Sequence, residues 1–266
     1  MNLLKLIGWE LDRVKKIYGL LLGVLITIQF GWLAVFLWRN TVLNEEYRRE
    51  GQSLLVVFHS YLMSTPYILS IGIGLIVMLV FSGWIWYREF WGRGTFMMRL
   101  LTLPTKRIQL FISKFITIMM MILGLIAVQW FALVIEYQIF TTWLDGQGIR
   151  QQDTFADIRQ LDVFSLLYPT SFVNFIIHVM LIAFVVLTIF TFVLVERSLW
   201  QRTIFSPLVS IALIGGVLAI PSTIFYVIEQ YLFMDELALI LVIGFLFSVA
   251  TLTIIARQYL QKKLSV

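Results

Sequence analysis

The chain has 266 residues, 60% of them hydrophobic and only 13% charged, with a formal net charge of +5. Soluble domains hold about twice that share of charged residues, and no single water-soluble core of this size would enclose 22 Phe, 10 Tyr and 9 Trp. Lipid is therefore the expected solvent, and the absence of Cys excludes disulfide frameworks, thiolate metal sites and cysteine nucleophiles.

Residues 1–16 open with apolar side chains at Leu3, Ile7, Leu11 and Val14, continuing to Tyr18, while Lys5, Asp12 and Lys16 share another face. This spacing predicts an amphipathic helix lying at the membrane interface before it turns into the first span; a plain basic anchor is the alternative. Six stretches then reach the roughly 20 apolar residues a bilayer crossing needs: 17–38, 64–87, 108–139, 171–195, 204–227 and 237–256. The first is longer than the apolar core of a signal peptide and is expected to be retained. The third would rise about 48 Å as a helix, so it tilts or leaves the membrane. Glu136 near its far end favours a protruding end.

The connections differ in character. Between the second and third spans, EFWGRGTFMMRLLTLPTKRIQLFISK carries Arg93, Arg99, Lys106, Arg107 and Lys114. Phe96, Leu100 and Leu103 fall on one helical face and Gly92, Thr95, Arg99 and Thr102 on the other, and Pro104 ends the helix because it lacks an N–H. A short interfacial helix over 88–107, polar towards water, is predicted. Loop 39–63 begins acidic and turns apolar at LLVVFHSYLM, which suits a segment dipping into the membrane or packing on its surface. Loop 140–170 is acid-rich, and PSTIFYVIEQYLFMDE at 221–236 reads as a short helix or re-entrant turn.

Charge sets the orientation. All but five of the 20 basic residues lie in 1–16, 88–114, 196–203 and 257–266, the exceptions being Arg39, Arg48, Arg49, Arg150 and Arg159. Of the acids, only Glu10, Asp12, Glu89 and Glu196 share that basic side. The positive-inside rule then puts both termini in the cytoplasm of a multi-pass plasma-membrane protein. Trp84, Trp86, Trp91 and Trp200 mark the inner boundary, and Trp38 and Trp143 the outer one.

Catalytic patterns are sparse. His59 and His178 are the two histidines, without the HExxH spacing of a zinc protease. Glu45-Glu46 with Arg49 is one residue short of the diacidic motif of membrane prenyl proteases, and Ser82-Gly83 with His178 sits at mismatched depths for an intramembrane serine protease. Gln29, Gln129, Asn174 and His178 are polar within spans, where such groups bond between helices or line a pathway. Gly19 and Gly23 form a GxxxG pair, and Gly244 with Ser248 a similar one, both suited to close helix contacts. Met119-Met120-Met121 suits packing. No GxxxxGK[ST] phosphate loop occurs, so any energy from ATP must come from another chain.

Glu89, Gly94-Thr95, Leu100-Leu101, Leu103-Pro104, Lys106-Arg107 and Lys114, in that order between two spans, resemble the coupling region of the permease subunit of bacterial ATP-binding-cassette exporters of the type-2 membrane-domain family. The resemblance extends in architecture over the whole chain. It implies one all-α permease domain over 1–266, with six spans, an N-terminal interfacial helix and a cytoplasmic coupling helix. Glu89, Arg93, Gly94, Thr95, Arg99, Pro104, Lys106 and Arg107 would then face a separate ATPase subunit, and Glu89 would pair with a base from Arg13–Lys16. Glu196, Arg197 and Arg202 would make a second cytoplasmic contact. ATP and Mg would bind the partner ATPase and no cofactor this chain. Two permease subunits, identical or related, would form the pathway, and no nucleic-acid partner is expected. The expected cargo is an antimicrobial or amphiphilic peptide, a lipid or a drug. An intramembrane, protease-like enzyme and a non-transporting sensor or assembly protein are the competing readings.

Overall fold

A computed structural model describes residues 3–50, 55–90, 107–147, 149–151, 172–200 and 234–259, with 208, 211, 212, 214–216 and 219 between the last two. Nearly all of them are helical. In chain order the elements are α1 (Leu3–Arg49), β1 (Leu55–Val56), α2 (Phe58–Leu62), α3 (Thr65–Phe90), α4 (Arg107–Gly146), β2 (Arg150–Gln151), α5 (Phe172–Trp200) and α6 (Met234–Gln258).

Among the described residues, four helical stretches are long and apolar enough to cross a membrane: Leu3–Arg49, Thr65–Arg88, Ile108–Gly146 and Phe175–Arg197. These correspond to the first four predicted spans. Over 237–256 the chain is also helical, as are the residues described in 204–227. Large apolar side chains stand outward along these helices, among them Leu20, Ile76, Val80 and Phe131. So many exposed large apolar side chains are unusual for a soluble protein and are compatible with a membrane location. The hydroxyls of Thr27, Ser70, Thr117, Thr188 and Thr191 each donate to a carbonyl of their own helix three or four residues back, which satisfies them without water.

The first prediction to need correction is the N-terminal segment. It does not turn into a separate span: α1 is one helix of 47 residues, about 70 Å long. Nothing between Leu3 and Arg49 interrupts it, for the segment contains no proline. Its buried stripe is also rotated from the predicted one. Leu6, Glu10 and Val14 are buried, whereas Leu3, Ile7, Leu11 and Tyr18 are half-buried. Further along, Leu25, Gln29, Leu33 and Leu37 continue the stripe at every fourth residue.

The chain divides into two compact units. The first comprises Met1–Glu10, Leu79–Met119 and Leu181–Val266. Its core holds Trp86, Phe111 and Phe190, whose rings meet at centroid distances of 5.6–5.9 Å, Phe190 edge-on to the other two; aromatic pairs of this kind contribute about 0.5–1.5 kcal/mol each beyond burial. Trp86 is 1% exposed, so it is a core residue and not the interfacial anchor predicted. The large ring finds more contact in the Phe111–Phe190 cluster than at a boundary.

The second unit comprises Leu11–Met78 and Met120–Met180. Here β1 pairs in parallel with β2, Leu55 opposite Arg150 and Val56 opposite Gln151. This register seats α2, whose Phe58, Tyr61 and Leu62 are fully buried against Leu33, Leu37, Tyr67, Leu133 and Phe140. The apolar half of loop 39–63 is therefore part of a core. Two small residues permit close approach in this unit. A Cβ on Gly124 would stand 2.7 Å from the Tyr18 hydroxyl, and one on Gly74 3.0 Å from Leu25. By contrast, a Cβ on Gly19 or Gly23 would meet nothing within 4 Å.

Candidate functional site

In the first unit the residues that flank the basic loop converge on a single buried carboxylate. Glu10, on the second turn of α1, is 2% exposed. Lys114, on the second turn of α4, is 1% exposed and its Nζ lies 2.6 Å from Glu10 Oε1. Arg88, two residues before the end of α3, brings Nη2 to 3.8 Å from Glu10 Oε2. Two aromatic faces complete the surroundings: Lys114 Nζ is 5.7 Å from the Trp86 ring centre, and the Arg88 guanidinium 5.1 Å from that of Trp84. Apolar packing of Leu6 against Leu110 joins the same two helices.

The cluster is sequestered, so its electrostatics are strong. A buried ion pair holds together only with near-ideal geometry, and removal of one partner strands the other. Three helices, α1, α3 and α4, each supply one member. The two cations leave the ends of α3 and α4 between which residues 91–106 run, so the segment's two anchor points are tied through Glu10.

The end of α5 is bound into the same unit. Glu196 accepts a hydrogen bond from the Tyr87 hydroxyl, and the Arg197 guanidinium stacks 4.5 Å from the Tyr87 ring centre. Adjacent residues Tyr87 and Arg88 thus reach in two directions, one to α5 and one to Glu10.

Of the predicted coupling residues, Glu89 lies in the last turn of α3 and Arg107 is the first residue of α4; their side chains, like Arg93, Gly94, Thr95, Arg99, Pro104 and Lys106, lie outside the described residues. So does Arg202, whereas Glu196 and Arg197 are brought onto Tyr87 as described. Among the described residues, Glu10 on α1 meets Arg88 and Lys114 beside the loop, and Asp12 pairs locally with Lys15 at 2.8 Å; the expected pairing of Glu89 with a base from Arg13–Lys16 lies outside the described residues.

The second unit assembles two of the four polar residues predicted within spans. Gln29 Nε2 donates to Gln129 Oε1 at 2.7 Å and lies 3.2 Å from Ser70 Oγ. All three residues are buried. Asn174 falls in the first turn of α5 with its side chain outside the described residues, and His178 is half-buried one turn further along. Ser82 donates its hydroxyl to the Leu79 carbonyl at 2.6 Å. Among the described residues, no three His, Asp or Glu side chains gather as a metal site would require.

Glu136 reverses another expectation. It does not mark a protruding, solvated end of its helix: α4 continues to Gly146, and Glu136 is 0% exposed. The α2 segment packs over this part of α4 and shields it. The signal that would have found Glu136 was its spacing. It stands seven residues after Gln129, two turns along one face, between the core residues Leu133 and Phe140. Glu10 gave a similar signal, four residues from both Leu6 and Val14.

No protein-family model, curated protein or solved structure matches the chain.

Proposed function

We propose that the chain is the transmembrane subunit of an ATP-driven exporter of the type-2 ATP-binding-cassette family, coupled through residues 88–107 to a separate cytoplasmic ATPase. The observation that carries this reading is the Glu10–Arg88–Lys114 cluster. A lever must be stiff where it meets the load it moves. Force applied to the segment after Arg88 reaches α1, α3 and α4 together, because all three share one buried charge cluster. The Tyr87–Glu196 bond extends the connection to α5, beside the second cytoplasmic contact. Further support comes from the residues quoted from 89–114, from the charge asymmetry, and from the lack of a phosphate loop in the sequence.

On this reading six spans cross the plasma membrane with both termini in the cytoplasm, and two such subunits enclose the pathway. ATP and Mg bind the partner. Closure of the ATPase subunits pushes on the coupling segments, and hydrolysis resets them. Intramembrane proteolysis finds less support, because the Ser82 hydroxyl is occupied by its own helix.

Co-purification tests the proposal. Tagged chain at native expression is expected to bring down an ATPase subunit from detergent-solubilised membranes. Arg99→Glu is expected to abolish that association while leaving membrane insertion intact. Recovery of the chain without any ATPase, or an Arg99→Glu variant that retains it fully, would sink the assignment.

A further inference from the structure

We propose that the rim of the Glu10 cluster binds the headgroup phosphate of an anionic phospholipid, through Arg88 and Trp84 of α3 and Lys5 and Trp9 of α1. All four residues belong to the first unit. The premise is what the cluster leaves at the surface. Glu10 and Lys114 are buried, whereas the Arg88 side chain is 21% exposed. Its guanidinium lies 3.8 Å from Glu10 Oε2 on one side and 5.1 Å from the centre of the Trp84 ring on another. Trp84 is 38% exposed, and Trp9, the residue before Glu10, is 37% exposed. Lys5 stands about one turn before Trp9 on the same outward face of α1 and is exposed.

Depth selects the partner. Arg88 closes the apolar stretch Thr65–Arg88, so the rim stands where that stretch gives way to polar residues. A Trp that is part exposed at such a level suits the headgroup zone, where its ring and its N–H are both accommodated. Trp86 turns inward to Phe111 and Phe190, whereas Trp84 keeps the boundary. Sign selects further. Residues 88–114 contain six bases and one acid, and Glu10 offsets one base more. The surplus is positive, and a leaflet containing anionic lipid attracts it.

The side chains fit a phosphate that carries a tail. Arg88 offers a planar fork of donors to phosphate oxygens. Lys5 adds a point charge on an apolar stem, and exposed Leu4 beside it suits hydrocarbon. A soluble anion would meet the charges alone and leave the two rings and Leu4 in water. Bound lipid would meet α3 and α1 from outside, while Lys114 ties α4 to Glu10 from within.

The assay uses the chain without any ATPase, so its outcome is separate from the exporter reading. Full-length chain, delipidated in non-ionic detergent, is titrated with phosphatidylglycerol or with phosphatidylcholine of matched tails, and bound lipid is counted by native mass spectrometry. Phosphatidylglycerol is expected to bind roughly tenfold more tightly or better, as two bases at a headgroup imply. Lys5→Gln is expected to weaken phosphatidylglycerol about fivefold, the contribution of one surface base, and to leave phosphatidylcholine unmoved. Arg48→Gln/Arg49→Gln, in the exposed last turn of α1, is expected to change neither. Because Arg88→Gln also disturbs the buried cluster, Lys5→Gln carries the test. Equal binding of the two lipids, parental affinity in Lys5→Gln, or an equal loss in Arg48→Gln/Arg49→Gln would overturn the proposal. Displacement of phosphatidylglycerol by inorganic phosphate at matched concentration would overturn it too, assigning the rim to a free anion. So would a Lys5→Gln chain that keeps lipid and loses a co-purifying ATPase, which would assign the face to that partner.

Discussion

Replacing Lys114 by Met is the most informative perturbation of the charge cluster, because the structure lets the cost be ordered against a second variant. Lys114 and Glu10 are 1% and 2% exposed and meet at 2.6 Å. Removing one member of a buried pair costs about 3–5 kcal/mol. Lys114→Met leaves Glu10 with Arg88 as a partial substitute at 3.8 Å, itself 21% exposed; the loss should fall near the lower end, about 3 kcal/mol. Glu10→Gln leaves two cations converging on a neutral amide, and should fall near the upper end, about 5 kcal/mol. At roughly 2–4 °C per kcal/mol, the unfolding midpoints drop by about 6–12 °C and 10–20 °C. The double variant Glu10→Gln/Lys114→Met retains one partly exposed cation and should recover about 2 kcal/mol relative to the sum of the singles. Thermal unfolding of the purified chain in one detergent, followed by Trp fluorescence, measures all three. Additive losses, or a Glu10→Gln variant more stable than Lys114→Met, would refute the cluster as drawn.

Two further predictions follow from close contacts in the second unit. Gly124→Ala places a methyl 2.7 Å from the Tyr18 hydroxyl; it should cost about 1–3 kcal/mol as overpacking, and Tyr18→Phe in the same chain should restore most of that. Gln29→Leu removes the 2.7 Å bond to Gln129 and should cost about 1–2 kcal/mol. Combined with Gln129→Leu the loss should shrink, since no buried amide is then left without its partner, and SDS-titration unfolding in bicelles reads the difference.

The positions of the helices were largely legible because a bilayer reads a quantity local to the chain. About twenty apolar residues without charge suffice, whatever lies elsewhere, and α3, α4 and α5 begin and end within a few residues of stretches 64–87, 108–139 and 171–195, except where α4 extends to Gly146. The rotation of α1 was less legible. Its N-terminal stripe runs through Leu6, Glu10 and Val14, and a pattern reader avoids Glu as a buried position. Trp86 is ambiguous for a related reason: a Trp near a span's end suits both an interface and an aromatic core, and only Phe111 and Phe190 decide between them.

From the sequence alone follow the helical class, an apolar composition that suits a lipid solvent, and the charge asymmetry. All rest on composition summed over short windows. The tertiary structure alone decided which polar residues meet: Glu10 with Lys114, 104 positions apart, Gln29 with Gln129, 100 apart, and Tyr87 with Glu196, 109 apart. It also enclosed Glu136 beneath α2. The physical reason is that a helix apolar on nearly every side has little periodicity to declare its inward face. Its rotation and register are settled by the few polar groups that must find partners where water is absent, and those partners lie on other helices.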